Sequence, residues 1–359
     1  MNIQTILEFV LAIASLILVH EIGHFVACRL LKIPVEEFGI GLPPRAITLF
    51  EAKGTKFSLN WLPFGGFVRA KGETDAEIPD GLMAAPAWKR ILVFLAGPIM
   101  NLLTAVVLFI AIYASLNFLP DRSRVILLEV VEGSPAANAG FEVNDRIMKV
   151  GDETIGTTDE LRRIIYRNLG TPLQITYERA GMEATTTVTP LADPGDSGAV
   201  GIRMDYDQKP FNVIAAIPEG FASTYEFCSG LLGMISQLIS GQIPAEEGRL
   251  VGFKGMYDMY SVVRESDTES NVPAIANVFS FVASITISLG LFNLLPIPAL
   301  DGGRIVFALP ELILRRRIPQ KFEVVLNAVS LIVLLILMVV INLQDFINPI
   351  ILVTPTPAP

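Results

Sequence analysis

The amino-acid sequence predicts an α-helical membrane protein with four transmembrane helices, a membrane-associated β-hairpin region and a small α+β domain outside the membrane. Three observations support this prediction. The chain of 359 residues is 52% hydrophobic and 18% charged, which is more apolar than an ordinary soluble protein. Four stretches are long and apolar enough to cross a bilayer. One long polar segment with short β-rich runs separates the second stretch from the third.

The four apolar stretches cover residues 6–31, 91–116, 275–295 and 324–341. A hydrocarbon core about 30 Å thick needs about 20 residues of helix, and each stretch comes close to or exceeds that length. The first stretch lacks the basic start of a signal peptide and continues through the only histidines of the chain. We therefore expect it to remain as a span.

These stretches divide the chain into four parts. We expect a first membrane half over residues 1–119, a polar domain over 120–207, an amphipathic juxtamembrane segment over 208–272 and a second membrane half over 273–359. In the juxtamembrane segment, residues 221–239 have the pattern of a helix at the outer membrane surface or packed against the spans.

The distribution of Lys and Arg predicts the orientation of the spans. Basic residues cluster within residues 32–90 and 304–321, whereas residues 1–28 and 342–359 carry none. Short loops rich in Lys and Arg face the cytoplasm, so we expect both termini and the polar domain to lie on the opposite side of the membrane. The net charge of −9 argues against a nucleic-acid partner.

The polar domain resembles a bacterial PDZ domain. Residues 125–131 read as a strand, and Gly133-Ser134-Pro135-Ala136 reads as a capped helix start. A second helix capped near Thr158 and a closing hairpin follow. The resemblance implies binding of an extended peptide at a sheet edge. A domain that only shapes or blocks access to the membrane core is the alternative.

The most informative motif is His20-Glu21-Ile22-Gly23-His24, which contains both histidines of the chain. Residues four apart lie on one face of a helix, so both imidazoles can reach one metal ion. The glutamate beside the first histidine is placed to take the proton of a metal-bound water. The motif lies near the cytoplasmic end of the first span, and it predicts a zinc site that activates water.

Two histidines leave a catalytic zinc ion short of a third protein ligand. Because the chain has no other histidine, the ligand must be Asp, Glu or Cys. Asp301 is the best candidate, since it ends the third span at the depth of His20 and carboxylates at membrane depth are usually functional. An ordinary Asp-Gly-Gly turn is the alternative reading. Glu8 is a poor rival because it lies near the outer end of the first span.

The loop 36–70 between the first two spans contains strand-like runs interrupted by glycine and proline. Its sequence is too irregular for a span, so we expect hairpins that dip into the membrane beside the metal. A peripheral cytoplasmic hairpin is the alternative.

In this order, the motifs resemble the site-2 protease family of intramembrane zinc metalloproteases, and more narrowly its bacterial regulator of sigma-E branch. The resemblance covers nearly the whole chain. It is carried by the His20-to-His24 motif, by Gly97-Pro98-Ile99-Met100-Asn101 in the second span, by the PDZ-like domain, and by Asn293-x-x-Pro296 followed by Asp301-Gly302. A single PDZ-like domain is found where some members carry two.

The resemblance implies that His20, His24 and Asp301 hold one zinc ion per chain. It implies that Glu21 is the general base for the attacking water and then the acid for the leaving amine.

Further roles follow from the same resemblance. Asn293 is expected to contact the substrate backbone, with capping of a helix break as the alternative. The sheet edge at Gly65 and Gly66 is expected to receive the substrate as an added strand. Gly97, Pro98 and Asn101 are expected to allow close packing and a break in the second span, with contact to the substrate as the alternative.

The resulting hypothesis is a zinc endopeptidase that cuts the transmembrane segments of single-span substrates in the lipid bilayer. Anti-sigma factors and signal-peptide remnants, cut in regulated intramembrane proteolysis, are the substrates the family implies. The alternative is a membrane metal transporter or sensor that uses the same ligands. An adaptor without catalysis is disfavoured, because His20, Glu21, His24 and Asp301 are all present.

Overall fold

The computed structural model describes residues 3–75, 77–194, 198–241, 248–265 and 273–349. Its helices are α1 (Ile3–Leu30), α2 (Ala87–Leu116), α3 (Pro135–Asn138), α4 (Thr158–Arg167), α5 (Val213–Ile239), α6 (Phe253–Glu265), α7 (Ala274–Asn293), α8 (Asp301–Leu314) and α9 (Gln320–Ile347). Its strands are β1 (Val35–Ala52), β2 (Thr55–Ala70), β3 (Phe118–Val130), β4 (Arg146–Val150), β5 (Glu153–Thr154), β6 (Leu173–Arg179), β7 (Met182–Val188) and β8 (Ile202–Pro210). Asn117–Ala216 forms one compact unit, and the remaining described residues form another.

Within the described ranges, four helices are long and apolar enough to cross a membrane: α1, α2, α7 and most of α9. They coincide with the four predicted spans, so the prediction of four membrane helices is confirmed at this level. In the most apolar stretch of α9, no residue is buried by protein. Such a helix exposes too much apolar surface to be stable in water, and lipid is the solvent that suits it.

Helix α2 packs against α1 and α7 through small residues. A Cβ on Gly23 of α1 would lie 2.3 Å from the carbonyl oxygen of Ala96, and one on Gly290 of α7 would lie 3.2 Å from that of Pro98. Glycine therefore permits the close approach of these backbones. The expected break in the second span is wrong, because α2 runs without interruption through Pro98. One missing backbone hydrogen bond does not end a helix that is packed on two sides.

Strands β1 and β2 form an antiparallel sheet in which both strands bend back on themselves. Phe38 of β1 lies opposite both Phe57 and Val68 of β2. The last part of β2, residues 66–70, pairs with β1 on one side, and no other described strand pairs with it. This segment is therefore an edge of the sheet, and the predicted β-sheet region is confirmed.

The unit Asn117–Ala216 contains a second sheet with strand order β7-β6-β4-β3-β8, and β5 pairs with β4. Ser134 caps α3, as predicted, and the cap of α4 is Thr157, one residue before the predicted position. The hydrophobic core of this unit includes Leu127, Ile147, Leu161, Ile175 and Val188.

Between this unit and α7, the predicted amphipathic stretch 221–239 lies within the helix α5. Hydrogen bonds connect the start of α6 to α9. The carboxylate of Asp345 in α9 accepts them from the backbone N–H groups of Gly252 and Gly255 at 2.8 and 3.1 Å. Parts of the juxtamembrane segment lie outside the described residues.

Candidate metal centre

Helix α1 presents His20 and His24 to α2 on one face. The two Nε2 atoms lie 3.1 Å apart, and the two rings meet edge to face. The helices approach closely at Gly23, between the two histidines, so both imidazoles lie within the protein rather than at its lipid-facing surface. The structure therefore brings the two imidazoles together, as the four-residue spacing requires.

Asp301 brings a carboxylate to the same point. Its Oδ2 lies 3.1 Å from Nε2 of His20 and 3.3 Å from Nε2 of His24. Three candidate ligand atoms, one from each residue, lie within 4.8 Å of one another. Glu8, the rejected rival, is ion-paired with Arg264 elsewhere in the bundle.

The position of Asp301 in the fold differs from the expectation. The third span ends at Asn293, and Asp301 begins a separate helix, α8, rather than ending the span or lying in a turn. Pro296 and Pro298 explain the break, because proline cannot continue a helical hydrogen-bond ladder. The chain then turns tightly, since a Cβ on Gly302 would lie 2.3 Å from the carbonyl oxygen of Leu294.

The three side chains fit a zinc ion. Oδ2 of Asp301 is buried and receives no hydrogen bond from the described residues, which is costly unless a cation neutralises it. Ligand atoms about 2.0–2.1 Å from a tetrahedral zinc ion lie about 3.3 Å apart. The observed separations of 3.1, 3.1 and 3.3 Å match that spacing. Two nitrogens and one carboxylate oxygen also form a usual catalytic zinc ligand set with one open position.

Gly97 leaves room at this centre. A Cβ at position 97 would lie 2.5 Å from Nε2 of His24 and 2.7 Å from Nε2 of His20. Any side chain here would therefore fill the space beside the ligand atoms. The sequence reasoning expected helix packing from Gly97, and the structure adds this contact with the imidazoles.

The Nδ1 atoms of both imidazoles, which face away from the proposed metal, also have partners. Nδ1 of His24 lies 2.8 Å from the carbonyl oxygen of Val93, and Nδ1 of His20 lies 3.2 Å from the side-chain amide of Asn101. An imidazole that binds a metal through Nε2 carries its proton on Nδ1 and needs an acceptor there. The buried Oδ1 of Asn101 has no other partner among the described residues, and a half-turn of the amide brings it against that proton. Asn101 therefore orients His20, a role that the sequence reasoning missed.

A cavity of about 270 Å³ opens beside the three ligand side chains. Glu21 lines it, and in the described part of the chain its carboxylate has no hydrogen-bonding or ion-pairing partner. A carboxylate without a protein partner, next to three convergent ligand atoms, is available to exchange a proton with a water molecule in the cavity.

The predicted substrate-binding residues lie close to this cavity. Asn293 lines it, but its side-chain N–H group donates to the carbonyl oxygen of Leu289, as expected for a helix-end cap. Gly66 lies beside Glu21, because a Cβ there would be 3.6 Å from Cγ of the glutamate. Gly65 has a φ of +82° and lies against Ile17. Both glycines precede Phe67 and Val68, which line the cavity from the sheet edge.

Two charged residues at the cavity escaped the sequence reasoning. Glu73 and Arg304 both line it and form an ion pair with each other at 2.8 Å. Only the spacing of Arg304, three residues after Asp301, could have indicated its place.

Comparison with known proteins agrees with this geometry. A family model described as peptidase family M50 matches residues 8–337. A candidate zinc metalloprotease of Clostridium perfringens is 34% identical over 345 residues, which cover 95% of this chain and 98% of the relative. The metalloprotease MmpA of Caulobacter vibrioides is 27% identical over 361 residues, which cover 88% of each chain. The PDZ domain of an SdrC-like protein from Listeria monocytogenes matches 22% of this chain and 85% of that structure, at 18% identity and a TM-score of 0.20.

Proposed function

The chain belongs to peptidase family M50, and we propose that it is a membrane-embedded zinc metalloprotease that cleaves the transmembrane segments of single-span proteins. The observation that supports this most is the convergence of His20, His24 and Asp301 beside Glu21, whose carboxylate has no hydrogen-bonding or ion-pairing partner among the described residues. A relative that aligns with nearly the whole chain is named as a candidate zinc metalloprotease. Four helices that are long and apolar enough to cross a membrane support a membrane protein.

In this proposal His20, His24 and Asp301 hold one zinc ion per chain. A zinc ion held there would supply a Lewis acid, which would lower the pKa of a bound water to about 7 and polarise the scissile carbonyl. Glu21 takes the proton that the attacking water loses and then delivers it to the nitrogen of the leaving amine. Asn101 and the carbonyl of Val93 keep the two imidazoles in the tautomer that binds through Nε2.

The sheet edge at residues 66–70 is the proposed docking strand for the substrate. A transmembrane helix hides its carbonyls in its own hydrogen bonds and must be unwound before attack. An extended substrate paired with the edge of β2 would satisfy the freed N–H and C=O groups. Phe67 and Val68, which line the metal cavity, would then bring the paired segment next to Glu21. Asn293 is proposed to contact the same segment.

The membrane placement is also a proposal. Basic loops on one side of the four spans support an active site near the cytoplasmic side of a bacterial inner membrane, with both termini and the domain 120–207 outside. The proposed membrane halves are 1–119 and 273–359, and within the juxtamembrane segment 208–272 the stretch 221–239 is proposed to lie at the outer membrane surface or to pack against the spans. Regulated intramembrane proteolysis, with anti-sigma factors or signal-peptide remnants as substrates, fits this placement.

The domain 120–207 is proposed to be a PDZ domain. Its sheet ends in two edge strands, β7 and β8, to which an extended peptide could add. We propose that it binds a peptide or controls the access of substrates to the membrane core.

The test compares cleavage of a co-reconstituted single-span protein by the wild type and by Glu21→Gln in liposomes. A general base contributes about 10²–10⁴-fold to the rate, so we expect a loss of that size with the zinc content unchanged. Glu36→Gln, the same change at an exposed position of β1, should cleave like the wild type. Unchanged cleavage by Glu21→Gln, or zinc flux across the vesicles that ignores this substitution, would favour the transporter or sensor alternative.

A further inference from the structure

Arg304 gives the metal cavity a positive charge of its own. Among the described residues that line this cavity, it is the only Lys or Arg. It lies in the first turn of α8, three residues after Asp301, and residues at this spacing are neighbours on one helix face. The guanidinium therefore lies close to the proposed metal ligand.

Two contacts fix the guanidinium in place. Nη1 of Arg304 donates to Oε1 of Glu73 at 2.8 Å, and Cζ lies 5.6 Å from the centre of the Phe94 ring. The carboxylate and the aromatic ring therefore both hold the group beside the cavity. Glu73 follows β2 in the chain and Phe94 belongs to α2, so two separate segments hold the side chain.

Most of the hydrogen-bonding capacity of Arg304 is unused. A guanidinium has five N–H groups and is always charged. Within the described residues, Glu73 is the only hydrogen-bonding partner of this side chain, and neither Nε nor Nη2 is sealed off by the protein. Because Arg304 lines the cavity, these donors are available to a group that enters it.

Peptide hydrolysis creates the kind of group that such donors bind. Attack by water puts a negative charge on the former carbonyl oxygen, and cleavage leaves a carboxylate. A cation that protein contacts already hold in place stabilises developing charge better than water does, because it does not have to reorient during the reaction.

We propose that Arg304 is a catalytic residue that donates hydrogen bonds from Nε and Nη2 to the oxyanion of the tetrahedral intermediate and then to the new carboxylate. This inference rests on the proposed protease function. Glu73 and Phe94 are positioning residues for Arg304.

The step is balanced without a proton from Arg304. The water oxygen forms a bond to the carbonyl carbon, the C=O π electrons move to the oxygen, and Glu21 accepts the water proton. The oxyanion then re-forms the C=O bond as the C–N bond breaks, and the bonding pair leaves with the nitrogen, which takes the proton from Glu21. The second proton of the former water passes from the new carboxyl group to the amine, so the products are a carboxylate and an ammonium group. Arg304 stays protonated throughout and contributes charge and orientation.

The test uses the full-length protein reconstituted in liposomes with a single-span substrate. It compares the wild type with Arg304→Gln, Arg304→Lys and Glu73→Gln. Loss of one oxyanion donor costs about 10²–10³-fold in kcat, so we expect that loss for Arg304→Gln with KM and bound zinc unchanged. Arg304→Lys should recover part of the rate, and Glu73→Gln should lose less than Arg304→Gln. Arg316→Gln, at an exposed position after α8, is the matched control and should behave like the wild type.

A second readout separates catalysis from structure. A phosphinic peptide, which mimics the tetrahedral intermediate, should bind Arg304→Gln more weakly by the same factor that kcat/KM falls. The charge-swapped pair Glu73→Arg with Arg304→Glu should stay impaired, since it restores an ion pair but not the guanidinium at position 304.

Several results would overturn this role: wild-type kcat in Arg304→Gln, loss of its zinc, unchanged phosphinate affinity, or rescue by the charge swap. Failure of the protease function itself looks different, because the wild type would then not cleave the substrate or would be insensitive to Glu21→Gln.

Discussion

Gly97 of α2 stands directly against His24 of α1, so that a Cβ at position 97 would lie 2.5 Å from Nε2 of the imidazole. Such a separation is shorter than any ordinary contact of a Cβ atom, and either the helix or the ring would have to move. The missing side chain of Gly97 thus keeps open the space into which His20, His24 and Asp301 direct their ligand atoms.

We expect Gly97→Ala to remove zinc binding and cleavage together. The added methyl group would displace the Nε2 atoms of both histidines, two of the three ligand atoms, so the loss of affinity should exceed the about 10–100-fold that loss of a single orienting partner costs. Zinc per chain, measured by atomic absorption after dialysis, checks this. Gly230→Ala is the control, since nothing lies within 4 Å of a Cβ there. Full zinc content in Gly97→Ala would contradict this role.

Replacement of Asn101 should weaken zinc binding without emptying the site. Its buried amide is the partner of Nδ1 of His20, and loss of such an orienting group costs about 10–100-fold in metal affinity. Competition with a chromophoric chelator measures the affinity of Asn101→Ala. Asn101→Asp should restore much of it, because a carboxylate also accepts from Nδ1–H. Wild-type affinity in Asn101→Ala would show that His20 needs no partner there.

A side chain on Gly66 should impair cleavage while leaving zinc in place. A Cβ there would lie 3.0 Å from the carbonyl oxygen of Gly39 and 3.6 Å from Cγ of Glu21, so Gly66→Ala shifts the edge strand against the proposed base. We expect kcat/KM to fall about tenfold, which corresponds to about 1.4 kcal/mol. Steady-state kinetics with a zinc assay on the same sample checks this. Loss of zinc, or unchanged kinetics, would argue against a docking strand at this edge.

The capping box of α4 should give a pH-dependent stability. Hydrogen bonds from the backbone N–H groups of Gly156 and Thr157 lower the pKa of Glu160 below its usual value of 4.5, although burial opposes this. A lowered pKa in the folded state means that the stabilisation is present above the usual pKa and is lost as the pH falls through the lower, folded value.

Hydrogen exchange at matched pH tests this prediction. In Glu160→Ala, the amides of Gly156 and Thr157 should exchange faster than in the wild type at pH 7, because both lose their hydrogen bond to the Glu160 carboxylate. The difference should disappear in strong acid, below the folded pKa of Glu160. Glu153→Ala, on the exposed strand β5 of the same unit, should show no such difference. A difference that is the same at both pH values would contradict a role for the charged carboxylate.

Much of this site was accessible to sequence reasoning because its signals are local. The spacing of His20 and His24 places both rings on one helix face whatever the rest of the fold does. Span length and composition likewise predict α1, α2, α7 and α9, because the bilayer sets the length of a helix that crosses it.

The missed features depend on contacts between distant parts of the chain. Asn101 meets His20, and Glu73 meets Arg304, only because α2 and α8 pack beside α1 and the end of β2. No local pattern reports such pairings. The place of Asp301 at the start of α8 was also missed, because the prolines that end the third span do not indicate where the next helix begins.

Zinc bound per chain in the purified full-length protein, compared between the wild type and Asp301→Ala, tests the central claim most directly. If His20, His24 and Asp301 hold the ion, the wild type binds one zinc, and Asp301→Ala loses it at least about tenfold more readily to a chelator. Asp152→Ala, at an exposed position in another part of the chain, should keep its zinc. An Asp301→Ala protein that holds zinc as tightly as the wild type would contradict the three-ligand centre.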